Sequence, residues 1–232
     1  MRIAVIIPIR GRVQLLRSCL ASIQAQQLRP SRVIVVDDAN TASDAASIKD
    51  IAASAGAEYL RTEIQGGASA ARNYGAAQAT GIDTYFFCDA DITLAPNALH
   101  ELASALEKNP QAAYAYSDFM FGKRLMRAEP FSLAALRHQN FISTMSLVRA
   151  AAFLGFDPTL KRFQDWDLWL TLATQGKYGV YVPQVLFTAD ASGSISTWIP
   201  SILARNAHVF SWIPRVKKYA AARAIILKKQ GL

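Results

Sequence analysis

The chain holds 232 residues, 52% of them apolar and 18% charged, a balance that excludes a disordered polymer and fits one domain with a sizeable core. The formal net charge of +8 and pI of about 9.7 favour anionic partners such as phosphorylated substrates or acidic lipid. No RNA- or DNA-binding motif supports nucleic acid as a partner.

Residues 3–9, IAVIIPI, form a continuous apolar run suited to a strand buried on both faces. Met1-Arg2 leads straight into it, which leaves no room for a signal peptide, and no apolar stretch reaches the roughly 18 residues of a membrane span. Cys19 and Cys88 lie in apolar elements and read as reduced core thiols. These features lead to the expectation of a cytoplasmic protein.

Arg10-Gly11-Arg12 is a turn, after which Val13, Leu16, Leu20 and Ile23 recur at helical spacing until Pro30. A second β-branched run, residues 33–36, ends in Asp37-Asp38, and a helix over 44–55 ends at Gly56. Residues 58–61 read as a third strand. Gly66-Gly67 then opens an alanine-rich helix over 69–79. Residues 85–88 form a buried strand that runs into Asp89-Ala90-Asp91. Pro96 suits the first turn of a helix to Lys108, stopped by Asn109-Pro110. This alternation predicts a mainly parallel α/β sheet with right-handed crossovers.

The second half is less regular. Strands are expected at 112–119 and 141–148, helices at 132–138 and 164–174, and a strand or hairpin around Pro183 at 181–187. Residues 198–232 carry Arg205, Arg215, Lys217, Lys218, Arg223, Lys228 and Lys229 with no acid, interleaved with Trp198, Phe210, Trp212 and Tyr219. They read as a basic, aromatic, helical extension of a domain at 1–197. Such an extension can pack on the domain, its lysines solvated. Alternatively it can lie on an anionic membrane surface on the cytoplasmic side.

Three acidic sites stand at element ends: Asp37-Asp38, Asp89 with Asp91, and Asp165. Buried strands rarely end in two acids without a partner, and a hard divalent cation is one such partner. The plain alternative for Asp89 or Asp91 is a turn that caps the next helix. Asp165 opens a helix, where the macrodipole favours its ionised form, and it too can be a simple cap. Asp167 is expected to face solvent, with sharing of the site as the alternative. Arg10, Arg12, Arg72 and Asn73 supply positive or donating groups between the acids. A helix N-terminus at Gly66-Gly67 can receive phosphate or be a plain loop. No P-loop, G-x-G-x-x-G fingerprint, H-E-x-x-H or G-x-S-x-G is present. His100, His138 and His208 read as ordinary surface or core residues, His208 being the one placed to touch a bound phosphate or metal.

Taken in order, AVIIPIRGR, RVIVVDDAN, GGASAARNYGA, FFCDADI and QDWDLWL make the chain, over roughly residues 3 to 190, resemble the inverting GT-A nucleotide-sugar glycosyltransferases of family 2. The resemblance implies a Rossmann-like GT-A fold with an irregular acceptor-side half, and hexosyl transfer from a nucleotide sugar, UDP-linked by expectation. The acceptor would be a saccharide or lipid-linked saccharide of the kind used in cell-surface polysaccharide or glycolipid synthesis. It places Pro8 and Asp38 at the nucleotide base, with Asp37 supporting that pocket and Arg10 and Arg12 beside it. Gly67, Arg72 and Asn73 would lie by the ribose or diphosphate, and Asp89 on the ribose side. Asp91 would hold Mn²⁺ or Mg²⁺, and Asp165 would be the base that deprotonates the acceptor hydroxyl. Inverting transfer needs a base and charge neutralisation on the leaving diphosphate, with no covalent nucleophile.

Three stretches depart from the family pattern, the third mildly. Ile9, Arg10 and Gly11 stand where members often carry Thr-Tyr-Asn. Ala189 and Ala191 stand where an arginine and a histidine often precede the serines Ser192, Ser194 and Ser196. Gln164 replaces a frequent glutamate. Two other readings share the acidic pairs. A nucleotidyltransferase would need a longer Gly-rich basic loop than Arg10-Gly11-Arg12, and a non-catalytic binding subunit would need no base.

Overall fold

A computed structural model describes residues 1–191 and 212–232. The strands are β1 (Ile3–Ile9), β2 (Arg32–Asp37), β3 (Glu58–Arg61), β4 (Thr84–Phe87), β5 (Ile92–Leu94), β6 (Tyr114–Phe121), β7 (Arg124–Met126), β8 (Leu147–Arg149) and β9 (Gly179–Ala189). The helices are α1 (Val13–Gln24), α2 (Ala42–Ser54), α3 (Gly67–Gln78), α4 (Ala98–Lys108), α5 (Leu133–His138), α6 (Gln164–Thr174) and α7 (Pro214–Lys229). One mixed sheet runs β3-β2-β1-β4-β8-β6-β9-β5, with β7 hanging on β6.

The first half is the expected parallel unit. β1 pairs in parallel with β2 and β4, aligning Ile9 with Asp37 and Ile3 with Thr84, and β2 pairs in parallel with β3. All seven residues of β1 are buried because both sheet faces are covered. One face packs Leu16, Leu20 and Ile23 of α1 with Leu99 and Leu102 of α4. The other packs Ala71 and Ala76 of α3 with Trp166 and Trp169 of α6. The contact of α3 with the sheet is close: a Cβ on Gly75 would lie 2.6 Å from Ile6 Cγ2 and 3.0 Å from Val36 Cγ2.

Several boundaries move. α1 ends at Gln24, six residues short of Pro30, and α4 begins at Ala98, leaving Pro96 in the turn before it. The strand expected at 141–148 shrinks to β8, inserted antiparallel between β4 and β6. Most of that apolar stretch is loop, tied by Ser143 and Ser146 to the local backbone. The residues around Pro183 form one strand, β9, parallel to β6, and register shifts near Asp118 accommodate it. β5 and β7, three residues each, were not anticipated. Such short strands carry no periodic signal.

The domain boundary expected between 197 and 198 falls outside the described residues, as do Ser192, Ser194, Ser196, Trp198, Arg205, His208 and Phe210. Beyond them, α7 packs on the body of the protein through Ile226, which is fully buried. Among the described residues no helix is long and apolar enough to cross a membrane.

Candidate functional site

The parallel strands β1, β2 and β4 present their carboxyl ends along one edge, and their terminal acids collect there. Asp37, the last residue of β2, is fully buried and fully engaged. Its Oδ1 accepts from the Asn40 backbone at 2.8 Å and from Asn40 Nδ2 at 2.7 Å. Its Oδ2 accepts from the Tyr59 hydroxyl at 2.6 Å. Burial, with the neighbouring Asp37 carboxylate, pushes the Tyr59 phenol up to about 12. Asn40 also reaches the Ile9 carbonyl and accepts from the Gly11 backbone, so this bracket sets the turn after β1. Gly11 and Arg12 both take left-handed backbone angles there.

Asp38 is 2% exposed. Its two oxygens accept the backbone N–H groups of Gly66 at 2.7 Å and Gly67 at 2.9 Å. These amides open α3, so the donors expected to greet a phosphate instead orient the Asp38 carboxylate. Pro8 is buried beside this segment, paired in register with Val36. Arg10 crosses to the carbonyls of Asp38 and Ala39.

The D-x-D follows β4, and each acid meets an arginine. Asp89 accepts from Arg72 Nη2 at 2.5 Å, and Asp91 pairs with Arg12 at 2.9 Å. Arg72 is 4% exposed; its guanidinium stacks 5.3 Å from the Phe156 ring centroid, and its Nε meets no hydrogen-bond partner among the described residues. Burial and then the neighbouring Asp89 raise Asp91 above the usual carboxylate range, with Arg12 pulling the other way. Behind the motif, the Sγ atoms of Cys19 and Cys88 lie 3.7 Å apart as buried free thiols. That contact, together with burial, raises Cys88.

Asn73, expected by the ribose or diphosphate, is engaged with backbone. Its amide brackets the backbone of Phe156, donating to the carbonyl and accepting from the N–H, each at 2.8 Å. It therefore holds the loop that carries the ring under Arg72.

Asp165 sits in the first turn of α6, after Phe163, which takes φ 59°. Its Oδ1 accepts the Trp166 backbone N–H at 2.8 Å. Burial raises its pKa, while the Trp166 amide, the Asn140 side chain and the Arg72 charge oppose the rise. Arg72 is thus bonded to Asp89, and its charge also acts on Asp165. Asp167 is a correction: it is 4% exposed, not solvent-facing. It receives Lys229 Nζ at 2.7 Å and Gln230 Nε2 at 2.8 Å. Sequence reading missed Lys229 and Gln230 because no local pattern announces a partner some sixty residues away. Asn40, three residues past Asp37 in the same DDAN string, was within reach of it.

The donor set fits a hard divalent ion in part. Among the described residues no group of three or more His, Cys, Asp or Glu gathers as a metal cluster. Mg²⁺-type ions that bridge substrate phosphates need only one or two protein carboxylates, which Asp91 with Asp89 can offer.

Comparison with known proteins agrees with this fold. The solved structure of S. aureus TarS 1–349 in complex with UDP-GlcNAc superimposes with TM-score 0.72 at 16% identity, covering 98% of this chain and 72% of that one. The mannosyltransferase PcManGT from Pyrobaculum calidifontis, in complex with GDP-Man and Mn²⁺, gives 0.65 at 19% identity, covering 97% and 69%. Among curated proteins, the pre-mycofactocin glycosyltransferase of Mycobacterium tuberculosis (strain ATCC 25618 / H37Rv) is 30% identical over 217 residues, 85% of this chain and 44% of that protein. The O-antigen biosynthesis protein RfbC of Myxococcus xanthus is 37% identical over 105 residues, 44% of this chain and 8% of that protein. The chain thus spans less than half the length of these curated relatives. The family model "Glycosyl transferase family 2" matches residues 4–152, well over half of the chain, and the chain therefore belongs to glycosyl transferase family 2, with a GT-A fold.

Proposed function

We propose that the protein transfers a sugar, with inversion, from a UDP-sugar to a hydroxyl of a saccharide or lipid-linked saccharide, with a divalent metal at Asp91. The observation that carries this reading is the convergence through Arg72. It joins Asp89 of the D-x-D directly and lies close enough to Asp165 to bias that acid's charge. On this reading the leaving-group side and the acceptor side share one buried guanidinium.

The residues divide the work accordingly. Asp38, its carboxylate oriented by Gly66 and Gly67, keeps lone pairs for the N3–H of uracil. Asp37 fixes the loops around it, and Arg10 and Pro8 line the same wall. Asp89, held by Arg72, faces the ribose. Asp91, with Asp89 behind it, would hold Mn²⁺ or Mg²⁺, which supplies charge neutralisation for the departing diphosphate. Arg12, the present partner of Asp91, is placed to take a phosphate oxygen when that carboxylate is engaged. Asp165 accepts the acceptor hydroxyl proton, and its raised pKa makes it a better base than an exposed aspartate. The solved neighbours, one in complex with UDP-GlcNAc and the other with GDP-Man and Mn²⁺, support a nucleotide-sugar donor at this site.

The test is a thermal-shift panel of nucleoside diphosphates with and without Mn²⁺. UDP with Mn²⁺ at about a hundred times its dissociation constant adds roughly 2.7 kcal/mol, on the order of 5–10 °C for a domain of this size. GDP and CDP are expected to give less. A larger shift with GDP would overturn the UDP assignment, and no shift with any of them would overturn the reading.

A further inference from the structure

α7 turns one face toward the first turn of α6 and meets it residue by residue. The Tyr219 ring lies edge-on to Phe163 with centroids 5.2 Å apart. The Arg223 guanidinium lies 5.9 Å from the Trp166 ring centroid and donates to the His138 carbonyl at 3.0 Å. Lys229 and Gln230 hold the two oxygens of Asp167, and Gln230 also reaches Thr171 Oγ1 at 3.0 Å. Asp165 stands between these contacts.

This turn needs outside support. No side chain caps α6, and Phe163 before it holds a left-handed backbone that a bulky residue keeps only where its surroundings fix it. Lys229 does more than hold Asp167. Its Nζ makes a second bond, 2.6 Å to Asp157 Oδ2. Asp157 follows Phe156, whose backbone Asn73 brackets and whose ring underlies the Arg72–Asp89 pair. One ammonium therefore ties the helix bearing Asp165 to the loop supporting Asp89.

We propose that α7 is a positioning element for the transfer step, with Lys229 as the positioning residue that fixes Asp165 relative to the Arg72–Asp89 pair. The inference rests on the reading of Asp165 as the base. Adhesion alone does not explain the arrangement. Ile226 is already buried and Leu227 packs beside it, so apolar contact is in place. The Lys229 side chain is 39% exposed, and an ion pair at that exposure adds little net stability, while its two short bonds set the spacing of Asp157 and Asp167. Displacing a reacting group by an ångström can cost about a hundredfold in rate.

The experiment compares Lys229→Met, Lys229→Arg and Asp165→Asn in the full chain. Turnover is read as UDP released from the UDP-sugar that the wild-type protein hydrolyses fastest, and backbone hydrogen exchange is followed at 156–159 and 164–167. Lys229→Met is expected to lower kcat about ten- to a hundredfold, with KM for the sugar nucleotide little changed. Exchange should quicken at those two segments and not in β1 or β4, and Lys229→Arg should recover most of the rate. Wild-type kcat in Lys229→Met would overturn the proposal. So would exchange that rises throughout the protein with kcat falling and KM rising, the mark of a purely structural role. Wild-type turnover in Asp165→Asn is a separate failure, that of the base; the rate and exchange pattern of Lys229→Met would still decide what Lys229 fixes.

Discussion

At the residue scale, Asp165 is a carboxylate kept in a place that resists its charge. Burial raises its pKa, so over the interval between the unfolded and folded values the native state holds the extra proton. Stability contributed by this group therefore falls as pH rises through that interval, and at neutral pH the ionised acid is a cost. Asp165→Asn removes the charge and leaves an oxygen for the Trp166 amide. We expect it to unfold no more easily than wild type at pH 7, as differential scanning calorimetry would show, while transfer falls about 10²- to 10⁴-fold. The acid limb of the kcat profile should sit above the roughly 3.9 of a free aspartate. Asp91 behaves differently. Asp91→Ala is expected to abolish most Mn²⁺-dependent UDP binding, and unchanged metal-dependent affinity by calorimetry would remove it from the metal site. Asp37-Asp38, the D-x-D and Asp165 were all visible in the sequence because polar residues at the ends of apolar runs stand out. Asp167 was misread because an acid in a first turn looks solvated until its cation is known. The partners of Asn73 were not legible, because they are backbone atoms of Phe156, which carry no sequence signature.

At the element scale, α3 lies against β1 with no room to spare. Gly75→Ala brings a methyl to 2.6 Å from Ile6 Cγ2 and must shift the helix or the strand. A loss of about 1–3 kcal/mol follows from such overpacking, measurable by urea unfolding. α7 offers a pH signature of its own. Lys229 holds Asp157 down to about 2, and Lys229 is itself raised. A depressed acid contributes stability above its unfolded pKa, near 3.9, and loses it as pH falls through the folded value. The raised lysine contributes below its unfolded pKa, near 10.4, and loses it as pH rises through the folded one. The docking of α7 should therefore hold steady from about pH 4 to 10 and loosen between about 4 and 2, a change visible in the near-ultraviolet dichroism of Trp166. β1, β2 and β4 were legible as runs of apolar residues, and β3, a half-exposed EYLR, by its place between two crossover helices. β8 was not: only the end of the expected 141–148 run pairs, and its neighbours depend on β4 and β6 lying one strand apart. The path of α7 was equally hidden, since its contacts are all distant in sequence.

At the scale of the whole molecule, the basic charge is uneven. α7 buries one face and turns Lys217, Lys218 and Lys228 outward with Ile225, 57% exposed, while Trp212 before it is 77% exposed. We propose that this outer face rests on an anionic membrane surface, each lysine near the lipid contributing about 1 kcal/mol. Co-sedimentation with vesicles containing phosphatidylserine should show binding that weakens with salt and is lost when the three lysines become glutamate. Equal sedimentation of the folded variant would leave the outer face without this role. The docked inner face and the free outer one do not compete, so the acid-bearing helix could face an acceptor held in the same leaflet.

The antiparallel insertion of β8 and the late arrival of α7 also bear on the order in which a nascent chain becomes competent. The parallel strands that hold Asp38, Asp89 and Asp91 come from the first 94 residues and their crossovers are local, so they can associate while the remainder is still being made. The first turn of α6 is pinned only when Tyr219, Arg223 and Lys229 have left the ribosome. Donor recognition would then precede the capacity to use it, and a chain stalled before α7 could sequester nucleotide sugar without releasing it onto an acceptor.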